Sequence, residues 1–201
     1  MEISAGLVKE LRDKTGAGIL DCRNALKESN GDVGAAFDYL RKQGIAKAEK
    51  KSGRAAEEGA VLSYIHPGNK LGVLLELNCE TDFVAMTDDF LKLAKELSLQ
   101  IAASNPISVT RDDIPEELTL KEREIYSESK DLEGKPENIV EKIIEGKIEK
   151  WYQQVCLIEQ AYIKDPSKTV SDLIKESISI LGENINVRRF MRFQLGDNSQ
   201  S

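Results

Sequence analysis

His66 is the single histidine of the 201-residue chain, so any catalytic relay or imidazole metal site would have to use it. It stands beside Pro67-Gly68, a turn, and nothing in the chain assembles a nucleophile, a base and an orienting group around it. Cys22, Cys79 and Cys156 are odd in number, far apart and never in a CxxC pair. They read as buried or half-buried free thiols of a reducing compartment. The carboxylates fall on predicted helix surfaces. The adjacent pairs Glu57-Glu58 and Asp88-Asp89 point to different sides of an element and cannot share a proton. Gly134-Lys135-Pro136 lacks the upstream glycine, the hydroxyl residue and the preceding strand of a phosphate loop. Gly16-Ala17-Gly18 follows a helix rather than a strand, so it is no dinucleotide loop. These residues predict a protein that is not an enzyme, with no cofactor and no metal site.

The segment that stands out is Thr81-Asp82-Phe83-Val84. It sits where a predicted hairpin ends and a long helix begins, a place from which side chains project. Phe83 belongs to neither amphipathic stripe. Two readings are open on the residues alone. Thr81 or Asp82 caps a helix and Phe83 folds back into the core, or Phe83 is an exposed aromatic beside a carboxylate, suited to wedging into a partner.

The elements that must position this segment follow from patterning. Ser4 is a good N-cap, and Ile3 with Val8 forms a hydrophobic staple ahead of a helix that ends at Thr15-Gly16-Ala17-Gly18. A second helix runs from about Leu20 to Ser29. A third is capped by Asp32, with Val33, Ala36, Phe37 and Leu40 at helical spacing and Gly44 as its stop. Lysine-rich, apolar-poor residues 46–59 read as a helical tail running into a solvated linker. Residues 60–65 and 71–77 form a hairpin about His66-Pro67-Gly68-Asn69-Lys70. A helix carrying Phe90, Ala94, Leu97 and Ile101 is capped by Thr87 and ends at Asn105-Pro106. Thr119-Leu120-Lys121-Glu122 reads as a capping box and Pro136 as a helix start. A helix over 169–181 stops at Gly182, and 185–195 alternates as a strand. The domains are then residues 1–45, a three-helix unit; 46–59, the linker; 60–196, an α+β core with a three-stranded antiparallel sheet; and 197–201, a polar tail. Leu62, Tyr64, Val73 and Leu75 are expected not all to share one sheet face under a single helical cover. A sheet apolar on both sides needs a second cover, which a twin subunit would supply.

The balance of 28 basic against 35 acidic residues, net −7, disfavours general phosphate attraction, so direct nucleic-acid binding is not expected. No apolar run approaches the ~20 residues of a membrane span. The start lacks a secretory pattern, which predicts a cytoplasmic protein.

Three motifs resemble the elongation factor Ts family. They are Thr15-Gly16-Ala17-Gly18 with Asp21-Cys22 and Ala25-Leu26, continued by Gly31-Asp32 through Gly44; Glu76-Leu77-Asn78-Cys79-Glu80-Thr81-Asp82-Phe83-Val84-Ala85; and Gly182-Glu183-Asn184-Ile185 with Arg188-Arg189-Phe190. They lie in the family's order and span nearly the whole chain. The resemblance implies a ubiquitin-associated-like helical domain, a linker and a core. It implies exchange of GDP on elongation factor Tu, with Thr81, Asp82, Phe83 and Val84 inserted beside the partner's Mg²⁺ site. Leu11, Ile19 and Leu20 match positions that contact the partner, and Leu181 a core position flanking the wedge. At 201 residues the chain is similar to the short form, in which two copies join through their sheets, implying a homodimer in a two-plus-two complex. An adaptor built on a ubiquitin-associated-like domain is the alternative.

Overall fold

The computed structural model describes residues 3–197. It is α+β, with three amino-terminal helices and a core of helices and a three-stranded antiparallel sheet. The expected tail falls on residues 197–201, of which 198–201 lie outside the described residues.

Helix α1 (Ala5–Thr15) starts where the Ser4 hydroxyl accepts the Leu7 N–H, and ends at Gly16, whose left-handed φ of 67° costs glycine little. Ile3 is buried with Val8 packed against the same cluster, as a hydrophobic staple requires. Helix α2 (Ile19–Glu28) follows. Asp32 caps α3 (Val33–Glu49), accepting the Ala35 N–H at 2.9 Å. Leu11, Cys22, Ala25, Leu26 and Ala36 form the core of this bundle.

Gly44 does not end α3. The helix runs on for five residues, past the expected domain limit at 45. Gly44 is there because α3 packs closely on a helix at 170–181: a Cβ at position 44 would lie 2.8 Å from Ser179 Oγ. A glycine that lets two helices approach looks, in sequence, like a glycine that stops one.

The sheet order is β1-β2-β5, with β1 Glu58–Ile65, β2 Leu71–Cys79 and β5 Ile185–Gln194. The connection between β1 and β2 places Gly68 and Asn69 at φ 93° and 55°, values that explain glycine and asparagine there. The His66 N–H donates to Leu71 O to close it. Burial alternates along both strands. Val73 and Leu75 are buried and Leu62 and Tyr64 half-buried, so these four lie on the covered side. The expectation that they could not share a face is therefore wrong. The second apolar face exists, but Val61, Ile65 and Leu74 make it, joined by Met191 and Phe193 after the burial of β5 changes phase at Arg188-Arg189.

Between the strands run α4 (Asp82–Ala85), α5 (Asp88–Ser104), α6 (Glu116–Ser127), α7 (Glu137–Val155), a small hairpin β3 (Ala161–Tyr162) with β4 (Asp165–Thr169), and α8 (Val170–Leu181). Thr87 caps α5 through the Phe90 N–H, and α7 begins after Pro136. The capping box does not form at 119–122. Thr119 lies inside α6, which already starts after Pro115. The box forms instead at Thr110 and Asp113, whose Oδ2 accepts both the Thr110 N–H and its hydroxyl.

By contacts the chain divides into two compact units. One holds the chain up to Ala60 with Leu77–Leu93 and Asp172–Asn186; the other holds Val61–Glu76, Ala94–Ser171 and the chain from Val187. The first unit carries the segment around Phe83. In the second, Gln100 is buried and fully engaged: its amide donates to Gln160 Oε1 and Ala161 O, and its oxygen accepts the Ile163 N–H, which fixes the β3–β4 hairpin.

Candidate functional site

Strand β2 delivers the chain to Thr81, whose extended backbone (φ −132°, ψ 152°) sets up the single turn of α4. Thr81 Oγ1 accepts the Val84 N–H at 3.4 Å, so the threonine caps the turn. Val84 and Ala85 are buried and root it. Asp82 faces solvent, and Phe83 stands 75% exposed. Both sequence readings thus hold in part: the cap is real, and the aromatic does not fold back. Met86, three residues beyond Phe83 and 70% exposed, extends the apolar tip. Its spacing of three residues from Phe83 is the signal in the sequence that pairs the two.

One turn of helix is marginal by itself, since nucleation fixes several residues for one hydrogen bond. Here the turn is held from outside. One oxygen of the Glu183 carboxylate accepts the backbone N–H groups of Glu80 and Thr81, at 3.1 and 3.0 Å, and the other accepts the Thr81 hydroxyl at 2.7 Å. The relation is reciprocal. Glu80 Oε1 accepts the Asn184 N–H at 2.6 Å and lies 3.5 Å from Arg54 Nη1. The Asn184 amide donates to Ser52 O and Arg54 O, and Lys51 Nζ donates to Gly182 O. The Cys79 thiol donates to Thr81 O at 3.1 Å. Burial and then the nearby Glu183 charge push that thiol above its ordinary range. Three segments, 51–54, 80–81 and 182–184, are tied by these bonds. No spacing in the sequence points to them.

Of the other expected site residues, Ile19 and Leu20 open α2 and are 57% and 74% exposed, two adjacent apolar side chains presented together. Leu11 is fully buried among α1, α2 and α3. Direct contact with a partner is not open to it in this conformation, and its part is to pack the bundle that presents Ile19 and Leu20. Leu181 is half-buried at the end of α8, ahead of Gly182 at φ 81°.

A second exposed surface lies on the outer side of the sheet. Val61, Ile65, Leu74, Met191, Phe193 and Leu195 form an apolar patch, and a groove over it is lined by Ile65, Gly72, Leu74, Met191 and Phe193. His66 is exposed at the hairpin tip, its Nδ1 2.9 Å from the Tyr64 hydroxyl. Cys22, Cys79 and Cys156 are buried free thiols. Among the described residues no group of three or more histidines, cysteines or carboxylates could hold a metal, and no helix is long and apolar enough to cross a membrane.

Comparison with known proteins gives one consistent picture. The family model described as "Elongation factor TS" matches residues 42–197. Elongation factor Ts of Thermoanaerobacter sp. (strain X514) is 55% identical over 199 residues, covering 99% of this chain and 98% of that protein. The protein of the same name from Geobacter sulfurreducens is 56% identical over 98% of this chain and 91% of its own length. That from Fervidobacterium nodosum is 54% identical over 98% of this chain and all of its own length.

Proposed function

Because this chain belongs to the elongation factor Ts family and is thereby a factor of translation elongation, we propose that it is the guanine-nucleotide exchange factor of elongation factor Tu. The observation that carries this reading is the exposed Phe83 on a turn rooted by Val84 and Ala85. A monomeric core rarely spends a phenylalanine this way, and an adaptor has no use for an Asp-Phe tip at that place.

The mechanism is linkage. GDP and its Mg²⁺ favour the closed form of elongation factor Tu; a ligand that prefers the open form weakens nucleotide binding by the same factor. Phe83 displaces packed side chains beside the Mg²⁺ site, and Asp82 brings a carboxylate among the metal's ligands. Mg²⁺ demands near-ideal octahedral geometry, so a small shift loosens its hold on the phosphates. Thr81 and Val84 keep the turn in shape. Ile19 and Leu20, displayed by the bundle of α1, α2 and α3, hold a second area of the partner. No covalent bond changes in either protein, and no cofactor is required. Such a factor works beside ribosomes in the cytoplasm and binds no nucleic acid itself.

The apolar outer face of the sheet has the chemistry of a self-complementary interface. A second copy of this chain would cover it, giving two copies with two molecules of elongation factor Tu. The direct test is the release of fluorescently labelled GDP from elongation factor Tu against excess unlabelled nucleotide. This chain is expected to accelerate release by orders of magnitude, and His66→Ala to do so equally. A release rate unchanged by the protein would refute the reading.

A further inference from the structure

We infer that Glu183 is a positioning residue for exchange: its carboxylate sets the Thr81 hydroxyl and so fixes the turn from which Phe83 projects. The inference rests on the exchange reading above and goes beyond it by naming what makes the tip stiff.

A threonine hydroxyl has one proton and two lone pairs. With its proton given to Glu183 Oε1 at 2.7 Å, Thr81 Oγ1 is left as an acceptor, and the Val84 N–H takes that role at 3.4 Å. Without the carboxylate the hydroxyl is free to rotate, and the long bond to Val84 loses its orientation. The same carboxylate accepts the N–H groups of Glu80 and Thr81, so the two residues entering the turn are pinned as well. Two of these donors are backbone amides next to the tip. The negative charge also sits at the amino end of α4, where it favours the helical turn. Glu80 does not duplicate this role. It reaches the other way, to Asn184, and keeps residues 182–184 in register. Displacing packed side chains in a partner requires that the tip not yield. A turn of four residues, with two apolar roots, would yield if its entry were loose.

The test uses the full chain with elongation factor Tu·GDP, measuring the maximal GDP release rate at saturating factor and, separately, the concentration giving half of it. Glu183→Ala should lower the maximal rate about tenfold, the loss of several charge-assisted bonds appearing in the barrier. The half-saturating concentration should stay within about twofold, because Ile19 and Leu20 are untouched. Glu183→Gln keeps a carbonyl oxygen for the two N–H groups but cannot accept the hydroxyl proton with the other end. It should fall about threefold, and being isosteric it reads the same contact should the alanine variant not fold. In a Phe83→Ala background, Glu183→Ala should cost less than about twofold, since Glu183 acts through Phe83. A merely structural residue would subtract equally in both backgrounds. Full activity in both Glu183 variants, or an undiminished loss in the Phe83→Ala background, overturns the inference. If the wild-type chain itself fails to speed release, it is the exchange reading that falls.

Discussion

Phe193→Glu tests the outer sheet face. Phe193 is 77% exposed on β5, and Ile65, Leu74, Met191 and Leu195, which line the same groove, leave half or more of their surface open. Fully burying such a side chain is worth about 1.5–3 kcal/mol, so covering the open part of Phe193 contributes about 2 kcal/mol. In a two-fold interface every substitution is made twice, and the loss is about 4 kcal/mol. That corresponds to roughly a thousandfold in the dissociation constant. Burying two carboxylates against apolar partners adds further cost, so a thousandfold is the smaller end. Because little of Phe193 is covered within one chain, the fold itself should be spared, with a melting temperature within a few degrees of wild type. Sedimentation velocity at micromolar concentration should show a wild-type dimer and a Phe193→Glu monomer. A wild-type monomer, or a variant as dimeric as wild type, refutes the argument.

Three further outcomes follow from the packing and the titrating groups. Alanine is favoured over glycine within a helix by about 1 kcal/mol, yet Gly44→Ala should destabilise by about 1–2 kcal/mol in urea, because the new Cβ meets Ser179 Oγ at 2.8 Å and Ser179 Cβ at 3.2 Å; Ser179→Gly should restore it, and a stabilised Gly44→Ala would contradict the close approach of α3 and α8. Burial raises the thiols of Cys79 and Cys156, and Cys22 is equally enclosed; a thiol reagent at mildly alkaline pH should find none of the three in the native protein and all three after unfolding, and rapid native labelling would show the burial to be wrong. The Tyr162 hydroxyl donates to Glu96 at 2.6 Å, and burial followed by that carboxylate pushes its phenol well above the usual value. The unfolded chain then ionises first, so stability is intact below about pH 10 and declines above it; Tyr162→Phe should flatten that decline, and an identical pH profile would argue against the buried contact.

What could be read from the residues was what depends on near neighbours along the chain. Ser4, Asp32 and Thr87 cap the helices they precede, because a cap needs only a side-chain oxygen three residues from an N–H. The Pro67-Gly68-Asn69 turn needs only its own backbone geometry. What escaped depends on distant residues. Gly44 reads as a stop because Ser179, its reason for being glycine, lies 135 positions away. The capping-box pattern at Thr119 forms no cap because Pro115 sets the start of α6, and Thr110 with Asp113 carries the box instead. The β3–β4 hairpin is held by the side chain of Gln100, some 60 residues earlier, and its short strands carry no alternation. At the site, Phe83 was visible as an aromatic out of phase. Leu11 matches a contacting position of the family, yet the bundle buries it completely. Glu80 and Glu183 each lie inside a family motif, but their pairing does not show there, since a carboxylate that accepts backbone N–H groups across the chain leaves no periodic trace.

The account turns on Phe83 acting outside its own molecule. With about three quarters of its surface already open, Phe83→Ala should cost the fold less than about 1 kcal/mol. Labelled-GDP release from elongation factor Tu, driven by this variant at saturating concentration, should nonetheless slow by tenfold or more. Release as fast as with the unaltered chain, or a loss no larger than the change in folding stability accounts for, would contradict the wedge.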